Sequence, residues 1–462
     1  MATEEKKKSE LGQLKSIPNK AAEGVPFYTP VQEPPAGTAL DPQPDGAPIP
    51  KLFTPLKIRG VTLQNRIFVS PMCQYSADNG FHTLWHTTHL GGIIQRGPGL
   101  TFVEATAVQA RGRITPQDSG LWLDEQIEPL RQHVNFAHSQ GQKIGIQLAH
   151  SGRKGSTVAP WLSPGALATE DVGGWPHDVV GPSAIPYNSN HAQPRALSVS
   201  EIQQIKTDFV AAAQRAVKAG FDVVELHCAH GYLLHSFLSP ASNHRDDVYG
   251  GSFENRVRLV LEIVDALRVV LPETMPLFLR VSATDWLEDA EGYEGDSWKV
   301  EDTVRLAQLL VTRGVDVLDV SSGGNHPKQK IAPGPGYQAP FARAVKRAVG
   351  DGMFVSTVGS ITGGRQAEEL LVGGTGANAD ADTPLDLVAA GRMFQKNPGL
   401  VWTWAEELNT SIYVASQIGW GFGGRGTRTQ RREHEERPRE ADKGSDGAEA
   451  EKTHDDFGPV PR

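Results

Sequence analysis

A regular alternation of short apolar runs with helix-like segments is the feature that most constrains the fold of this chain. The runs have the Val-, Ile- and Leu-rich composition of strands buried in a parallel sheet. Eight of them occur, at residues 67–69, 100–103, 143–148, 222–226, 277–281, 315–320, 353–358 and 386–389. Segments with helical spacing lie between most of them, and one of these opens at the capping box Ser198-Val-Ser-Glu201 and ends before Gly220. The repeated alternation predicts an α/β fold, a single (β/α)8 TIM barrel.

The alternative fold is a doubly wound parallel sheet. It is disfavoured because the first strand–turn–helix lacks the usual dinucleotide-binding fingerprint. One Gly-x-Gly-x-x-Gly match does occur, at Gly421, Gly423 and Gly426, but no strand precedes it and a charged segment follows. We therefore do not interpret this match as a cofactor motif.

Composition divides the chain into three parts. Residues 1–50 are rich in Pro, Gly, Ala and charge, and we expect them to form an extended N-terminal arm. Residues 51–426 carry the regular pattern and form the predicted barrel. Residues 427–462 are a mixed run of Arg, Glu, Asp and Lys, which predicts a disordered tail. The segment 152–198 is too long for an ordinary loop, and we expect it to cover the C-terminal face of the barrel.

Charge and cysteine content exclude several function classes. A net charge of −9 and a pI near 5.9 argue against a nucleic-acid partner. The two cysteines, Cys73 and Cys228, are too few for a disulfide framework, a Cys-rich zinc module or a four-cysteine iron–sulfur cluster. The first residues lack the apolar core of a signal peptide, and no apolar run approaches the roughly 20 residues of a membrane span. These features favour a cytoplasmic enzyme without a membrane partner.

Three polar side chains follow the fourth apolar run: His227, His230 and Tyr232. In a continuing strand the two histidines would point to opposite faces, but a turn after His227 lets them converge. Two imidazole N–H groups and a phenol at a strand end can hold an oxyanion and deliver a proton. A zinc-dependent hydrolase using these histidines with His235 or Cys228 is the competing interpretation, although His-x-x-His alone is a weak zinc signal.

Other strand ends suggest a phosphorylated ring cofactor. Gly359 and Gly363-Gly364 follow the seventh run, and Gly391-Arg392 follows the eighth, where TIM barrels often bind phosphate through backbone N–H groups. Gln147 can both donate to and accept from a ring with amide-like edges, and Arg280 can stabilise negative charge on a reduced ring. An isoalloxazine ring needs both, so flavin mononucleotide (FMN) is the predicted cofactor.

Five segments carry a resemblance to a known family. They are SPMCQYS (70–76), IQLAHSGRK (146–154), ELHCAHGYLLHSFLSPASNHRDDVYGGSFENR (225–256), LRVSATDW (279–286) and GRMFQKNP (391–398). They closely resemble the old yellow enzyme family, and the cysteine after Pro-Met with a tyrosine two residues later resembles its thermophilic-like branch, which is also common in fungi. The resemblance implies an FMN-containing ene-reductase on a TIM barrel, a flavoprotein reduced by NADPH.

The resemblance also implies roles for individual residues. His227 and His230 would hold the electron-withdrawing oxygen of the substrate, Tyr232 would donate the proton, and Tyr75 and Lys154 would line the pocket. Arg425, in QIGWGFGGRG, would reach the active site of a neighbouring subunit, and we expect a homo-oligomer, a dimer or tetramer. The residues expected to contact the flavin ring or its phosphate are Pro71, Met72, Cys73, Ala105, Gln147, Arg280, Gly359, Gly391 and Arg392.

The expected reaction has two steps. NADPH reduces the flavin and leaves; an α,β-unsaturated aldehyde, ketone or imide then binds in the same space, and its activated C=C bond is reduced. A catalytically silent flavin-binding protein is a further alternative. Two departures from the family pattern are the insertion at 373–385, before the eighth strand, and the charged tail.

Overall fold

The computed structural model describes residues 19–373 and 383–422. Eight parallel strands pair in sequence order and close into a barrel, which confirms the predicted TIM-barrel fold. The strands are β1 Ile67–Val69, β2 Leu100–Ala107, β3 Ile144–Ala149, β4 Val223–Cys228, β5 Leu277–Ser282, β6 Val317–Ser321, β7 Phe354–Thr357 and β8 Leu387–Ala390.

Helices follow the strands and form the outer layer of the barrel. They are α1 Leu84–Ile94, α2 Ile127–Ser139, α3 Val199–Ala219, α4 Leu233–Leu238, α5 Phe253–Val270, α6 Val300–Val311, α7 Ala339–Val349, α8 Gly364–Val372, α9 Arg392–Lys396 and α10 Leu400–Glu407. Short 3-10 helices lie at Lys51–Phe53, Ala110–Gly112, Asp124–Gln126, Gly152–Lys154, Glu170–Val172, Pro176–Asp178 and Gly350–Gly352. None of the helices in the described ranges combines the length and apolar character that a membrane span requires.

The predicted boundaries of α3 are accurate because its capping chemistry is local. The Ser198 hydroxyl accepts from the Glu201 amide at 3.3 Å, and the Glu201 carboxylate accepts from the Ser198 amide at 2.9 Å. Gly220 ends the helix with φ of +96°, a left-handed conformation that favours glycine.

Aromatic side chains and a small hairpin fill the N-terminal end of the barrel. Phe68, Phe102 and Phe278 meet there, with ring centres 5.5–6.3 Å apart. A hairpin of two strands, Leu56–Ile58 and Val61–Leu63, packs its apolar side chains against them. We call this cluster the barrel floor. Sequence analysis did not predict the hairpin.

Residues 19–50 contain isolated bridges but no helix, and their last part pairs with the chain that follows α10. Leu40 donates its amide to the Ser411 carbonyl at 2.9 Å, and Tyr413 donates to Thr38 at 2.8 Å. The described residues up to Ala415 form one compact unit. A second unit begins at Ser416, and its described part holds a single helical turn, Ser416–Gly419.

Candidate active site

The end of β4 brings the two histidines and the tyrosine together. His227 is buried within β4, and the chain turns directly after the strand, where His230 adopts a positive φ of +60°. The His227 ring centre lies 5.3 Å from that of His230 and 5.2 Å from that of Tyr232. Gly231 allows the turn, because its φ is +74° and a Cβ there would lie 2.2 Å from the Gly324 carbonyl oxygen. Three polar groups therefore face one another at the C-terminal end of the barrel.

Both histidines are held in their neutral form. Burial lowers the pKa of His227 and of His230 well below the usual value, and the positive charge of Arg280 acts in the same direction on both. His230 Nε2 lies 2.8 Å from the Ser321 hydroxyl, and its amide donates to the Ser282 hydroxyl at 2.9 Å. His227 Nδ1 is buried without a hydrogen-bond partner among the described residues. This nitrogen therefore has hydrogen-bonding capacity that no described residue uses.

Tyr232 is a phenol that keeps its proton. Burial raises its pKa well above the usual value, so the hydroxyl can act as a donor at neutral pH. A cleft beside it is lined by Ala105, His227, Arg113 and Asp118, among others.

Lys154 and Tyr75 lie beside this group. Lys154 Nζ lies 5.2 Å from the Tyr232 ring centre and 4.5 Å from that of Tyr187. It donates to the carbonyl oxygens of His230 at 2.9 Å and Gly324 at 3.0 Å, and burial lowers its pKa to about 7. This lysine therefore also braces the turn after β4. Tyr75 has a positive φ of +50°, and its ring centre lies 5.6 Å from that of Trp161 in the long segment after β3.

Gln147 and Arg280 belong to a row of polar side chains on successive strands, which we call the polar belt; hydrogen bonds link its members except Glu225 and Arg280, which form an ion pair at 4.0 Å. Gln147 Nε2 donates to Glu225 Oε1 at 2.7 Å. Arg280 Nε donates to Asp319 Oδ2 at 2.5 Å, and its Nη2 donates to Ser70 Oγ at 2.8 Å. The belt consists of Gln147 on β3, Glu225 on β4, Arg280 on β5, Asp319 on β6 and Ser356 on β7, all buried.

Sequence analysis missed the two acidic members of the belt. A usable signal was present, since Glu225 interrupts the apolar run VVELHC and Asp319 interrupts VLDVS. An acidic residue in a fully buried strand requires a partner, because an unpaired buried carboxylate is costly. Such a residue therefore points to a buried polar network.

The chain after β1 places Pro71, Met72 and Cys73 at the same end of the barrel, half-buried. Burial, with the nearby carboxylates of Asp118 and Glu104, raises the Cys73 pKa well above the usual value, so it is a thiol rather than a thiolate. Ala105 follows a register shift that begins at Val103 of β2.

The glycines predicted for phosphate binding differ in their surroundings. Gly359 has φ of +113°, and a Cβ there would lie 2.7 Å from Gln338 Nε2. Gly391 directly precedes α9, whose first residue, Arg392, is exposed to solvent. The amide of Gly364, in contrast, donates to Glu407 Oε2 at 2.5 Å, so a carboxylate already occupies the start of α8. Arg425 and residues 374–382 of the insertion lie outside the described residues.

An eight-stranded parallel barrel with polar and glycine-rich strand ends at its C-terminal face defines a TIM-barrel enzyme. The family model described as NADH:flavin oxidoreductase / NADH oxidase matches residues 51–411, and the chain belongs to this family. The resemblance to old yellow enzymes, the flavin oxidoreductase class and the FMN cofactor are thereby confirmed.

Three known proteins illustrate the relationship. The NADH:flavin oxidoreductase FG08077 of Gibberella zeae is 58% identical over 416 residues, which are 89% of this chain and 97% of that protein. An NADPH dehydrogenase of a Geobacillus species is 42% identical over 375 residues, covering 80% of this chain and 99% of its own. The solved structure of a morphinone reductase is similar at a TM-score of 0.61 and 27% identity, covering 79% of this chain and 91% of that one.

The residues present fit FMN. The polar belt presents an amide and a guanidinium, the donor and acceptor types that a flavin ring requires. The turns at Gly359 and Gly391 and the exposed cation of Arg392 suit a phosphate.

The structure does not support the alternative of a zinc site at these histidines. His235 Nδ1 accepts from the Gly231 amide at 2.9 Å, and its Nε2 lies 3.0 Å from Asp285 Oδ1, so it is not directed at the other two histidines. Within the described ranges no group of three or more His, Cys, Asp or Glu side chains is placed to hold a metal. Because the chain belongs to the flavin oxidoreductase family, we no longer interpret it as a zinc-dependent hydrolase.

Proposed function

We propose that this flavin oxidoreductase is an ene-reductase that uses NADPH to reduce the activated C=C bond of α,β-unsaturated carbonyl compounds. The observation that carries the proposal is the group formed by His227, His230 and Tyr232, in which the His227 ring centre lies 5.3 Å from that of His230 and 5.2 Å from that of Tyr232. A flavin reductase that only passes electrons onward has no need for such a group. An enzyme that reduces a conjugated carbonyl needs oxyanion donors and a proton donor.

Each side chain has one task in this proposal. His227 and His230, both neutral, donate N–H groups to the carbonyl oxygen of the substrate and stabilise the negative charge that develops on it. Tyr232 donates its proton to the carbon next to the carbonyl group. When bound, FMN supplies the hydride for the other alkene carbon. Tyr75 and Lys154 line the substrate pocket.

The proposed FMN site uses the remaining strand ends. Gln147 and Arg280 contact the polar edge of the ring, while Gly359, Gly391 and Arg392 hold the phosphate. Four further residues complete the ring contacts: Pro71, Met72 and Cys73, which follow β1, and Ala105 on β2.

NADPH is the proposed reductant. The relatives from Geobacillus and Listeria are named NADPH dehydrogenases, and one solved morphinone reductase is in complex with tetrahydroNAD. We further propose a cytoplasmic homo-oligomer, a dimer or tetramer, in which Arg425 of one subunit reaches the site of its neighbour. The proposed domain organisation is an arm at 1–50, the FMN-binding barrel at 51–426 and a charged tail at 427–462.

A two-stage spectroscopic experiment tests the function. The purified protein is first reduced anaerobically with NADPH while the flavin absorption near 450 nm is followed, and 2-cyclohexenone is then added. Return of the absorption, with cyclohexanone as product, is the expected result. Bleaching that cyclohexenone and other activated alkenes fail to reverse would instead favour the catalytically silent or purely electron-transferring alternative.

A further inference from the structure

Glu225 occupies a position in the polar belt that the proposed reaction does not use. It lies in the middle of β4, fully buried, and its Cα pairs in register with that of Gln147 on β3. Its Oε1 accepts from Gln147 Nε2 at 2.7 Å. An ionised carboxylate can only accept hydrogen bonds, so it must face the NH2 end of the amide. The amide oxygen of Gln147 is consequently directed away from Glu225.

The protonated form of Glu225 keeps the amide in the same orientation when its proton lies on Oε2, because Oε1 then still accepts from Gln147 Nε2. Burial raises the pKa of Glu225 to about 8, while the nearby charge of Arg280 opposes this rise. Oε2 has no partner among the described residues, whereas Oε1 already accepts from Gln147, so a proton is expected on Oε2. Arg280 does not compete for Oε1, because its Nε lies 4.0 Å away and is bonded to Asp319.

We propose that Glu225 is a positioning residue that fixes the Gln147 amide with its oxygen toward FMN. The polar edge of a flavin ring carries one imide N–H between two carbonyl oxygens. A glutamine that presents its oxygen can accept from this N–H, whereas a reversed amide would oppose one N–H donor with another. Without Glu225, both orientations of the amide become accessible.

The test uses Glu225→Gln, which keeps the volume but can turn an NH2 donor toward Gln147 in place of the accepting Oε1. The full-length holoenzyme is prepared with FMN labelled with nitrogen-15 at the imide position. We expect the imide nitrogen resonance to move toward its value in a weaker hydrogen bond, and the rate of FMN release to rise about tenfold, the factor that corresponds to 1.4 kcal/mol. An unchanged resonance and release rate in Glu225→Gln would overturn the proposal.

A double-mutant cycle with Gln147→Ala separates positioning from general structural support. If Glu225 acts through Gln147, adding Glu225→Gln to Gln147→Ala causes no further increase in FMN release. Strictly additive effects would show that Glu225 acts independently and would contradict the proposal. Should Glu225→Gln fail to fold, Glu225→Asp is tested instead. This variant keeps an acceptor and is expected to preserve the wild-type resonance. A resonance shifted as far as in Gln147→Ala would count against the proposal.

Asp316→Asn provides a matched control. Asp316 is a half-buried carboxylate that accepts from Arg59 Nε at 2.6 Å and from the Leu277 amide at 2.8 Å, before the first residue of β6 and thus at the opposite end of the barrel. We expect this variant to lower the Tm without altering the imide resonance. A shifted resonance in Asp316→Asn would show that any weakened barrel strand disturbs the flavin. The shift in Glu225→Gln would then be a general effect of lower stability, which would contradict a specific role of Glu225.

Discussion

The buried titratable side chains at the C-terminal face are mostly uncharged. His227 and His230 are neutral imidazoles, Cys73 is a thiol and Tyr232 is a phenol, in each case chiefly because burial disfavours the charged form. Arg280 remains charged because Asp319 pairs with it. In this mostly uncharged environment the Arg280 guanidinium interacts more strongly than it would in water with negative charge that develops on a bound molecule.

Tyr232→Phe tests the proton donor. It removes only the hydroxyl, so we expect reduction of the flavin by NADPH to proceed at nearly the wild-type rate. Reduction of cyclohexenone should slow by about 10²-fold or more, the usual contribution of a positioned general acid. Stopped-flow absorbance measures the two half-reactions separately. Equal losses in both would contradict the role assigned to this phenol.

The double substitution His227→Ala with His230→Ala tests the oxyanion pair. Phenols bind such a site through their oxygen, so losing both N–H donors should weaken phenol binding by at least about tenfold, at roughly 1–2 kcal/mol for each hydrogen bond. Titration of the flavin spectrum with a substituted phenol gives the affinity. His138→Ala, an exposed histidine that pairs with Asp222, is the control and should bind phenol normally. Unaltered phenol affinity in the double variant would exclude His227 and His230 as the donors that bind the ligand oxygen.

At the scale of elements, the turn between β4 and α4 is the part of the site that depends most on backbone conformation. Two consecutive residues, His230 and Gly231, have positive φ, and the Gly231 position lies against the Gly324 backbone. Lys154 donates to the carbonyl oxygens of His230 and Gly324 and so links the turn to the backbone segment that packs against it. The geometry of the site is therefore set by this backbone contact as well as by the side chains.

Gly231→Ala should destabilise this turn for two reasons. The added Cβ would clash with the Gly324 backbone, and alanine is disfavoured at a positive φ. Gly251 provides the comparison, because its φ of +77° matches the +74° of Gly231 but a Cβ there would meet nothing within 4 Å. Gly251→Ala should cost only the left-handed penalty of about 1–2 kcal/mol. Gly231→Ala should lower the Tm further and slow alkene reduction. Thermal denaturation and steady-state rates decide this, and similar behaviour of the two variants would show that the Gly324 contact is unimportant.

Local signals predicted the elements well and the contacts between them poorly. The strands, the cap at Ser198 and the glycine that ends α3 follow from neighbouring residues, so they were readable from sequence. The packing of the hairpin against Phe102 and Phe278 and the pairing of Gln147 with Glu225 depend on segments far apart in the chain. The Gly363-Gly364 pair is instructive, since a carboxylate from α10 occupies the helix start that sequence analysis associated with phosphate.

At the scale of the whole molecule, buried histidines dominate the expected pH dependence of stability. Among the described residues, nine have a lowered pKa in the folded protein, chiefly because of burial: His82, His86, His89, His133, His150, His191, His227, His230 and His326. Below a pH of about 6.5 these histidines bind protons in the unfolded chain but remain neutral in the folded protein. The free energy of unfolding therefore falls as the pH falls. Three buried carboxyl groups with raised pKa, Glu104, Asp118 and Glu225, have the opposite effect but are fewer.

We therefore expect the Tm to decrease steadily as the pH is lowered from 6.5 toward 4.5 and to vary less between 6.5 and 7.5. Differential scanning calorimetry of the holoenzyme in matched buffers measures this. His82→Asn, in a buried cluster away from the β4 turn, should reduce the slope. A Tm that rises on acidification would mean that the carboxyl groups outweigh the histidines.

The barrel floor has a consequence for how reactants come and go. Phe68, Phe102 and Phe278 and the hairpin beneath them fill the N-terminal end, so a molecule reaches the polar strand ends from the opposite side. In the proposed two-step reaction NADPH and the alkene occupy this open end in turn, so each delays the other when present in excess. Initial rates should give parallel double-reciprocal lines, and high NADPH should inhibit competitively against the alkene. Intersecting lines would mean that both reactants are accommodated at once.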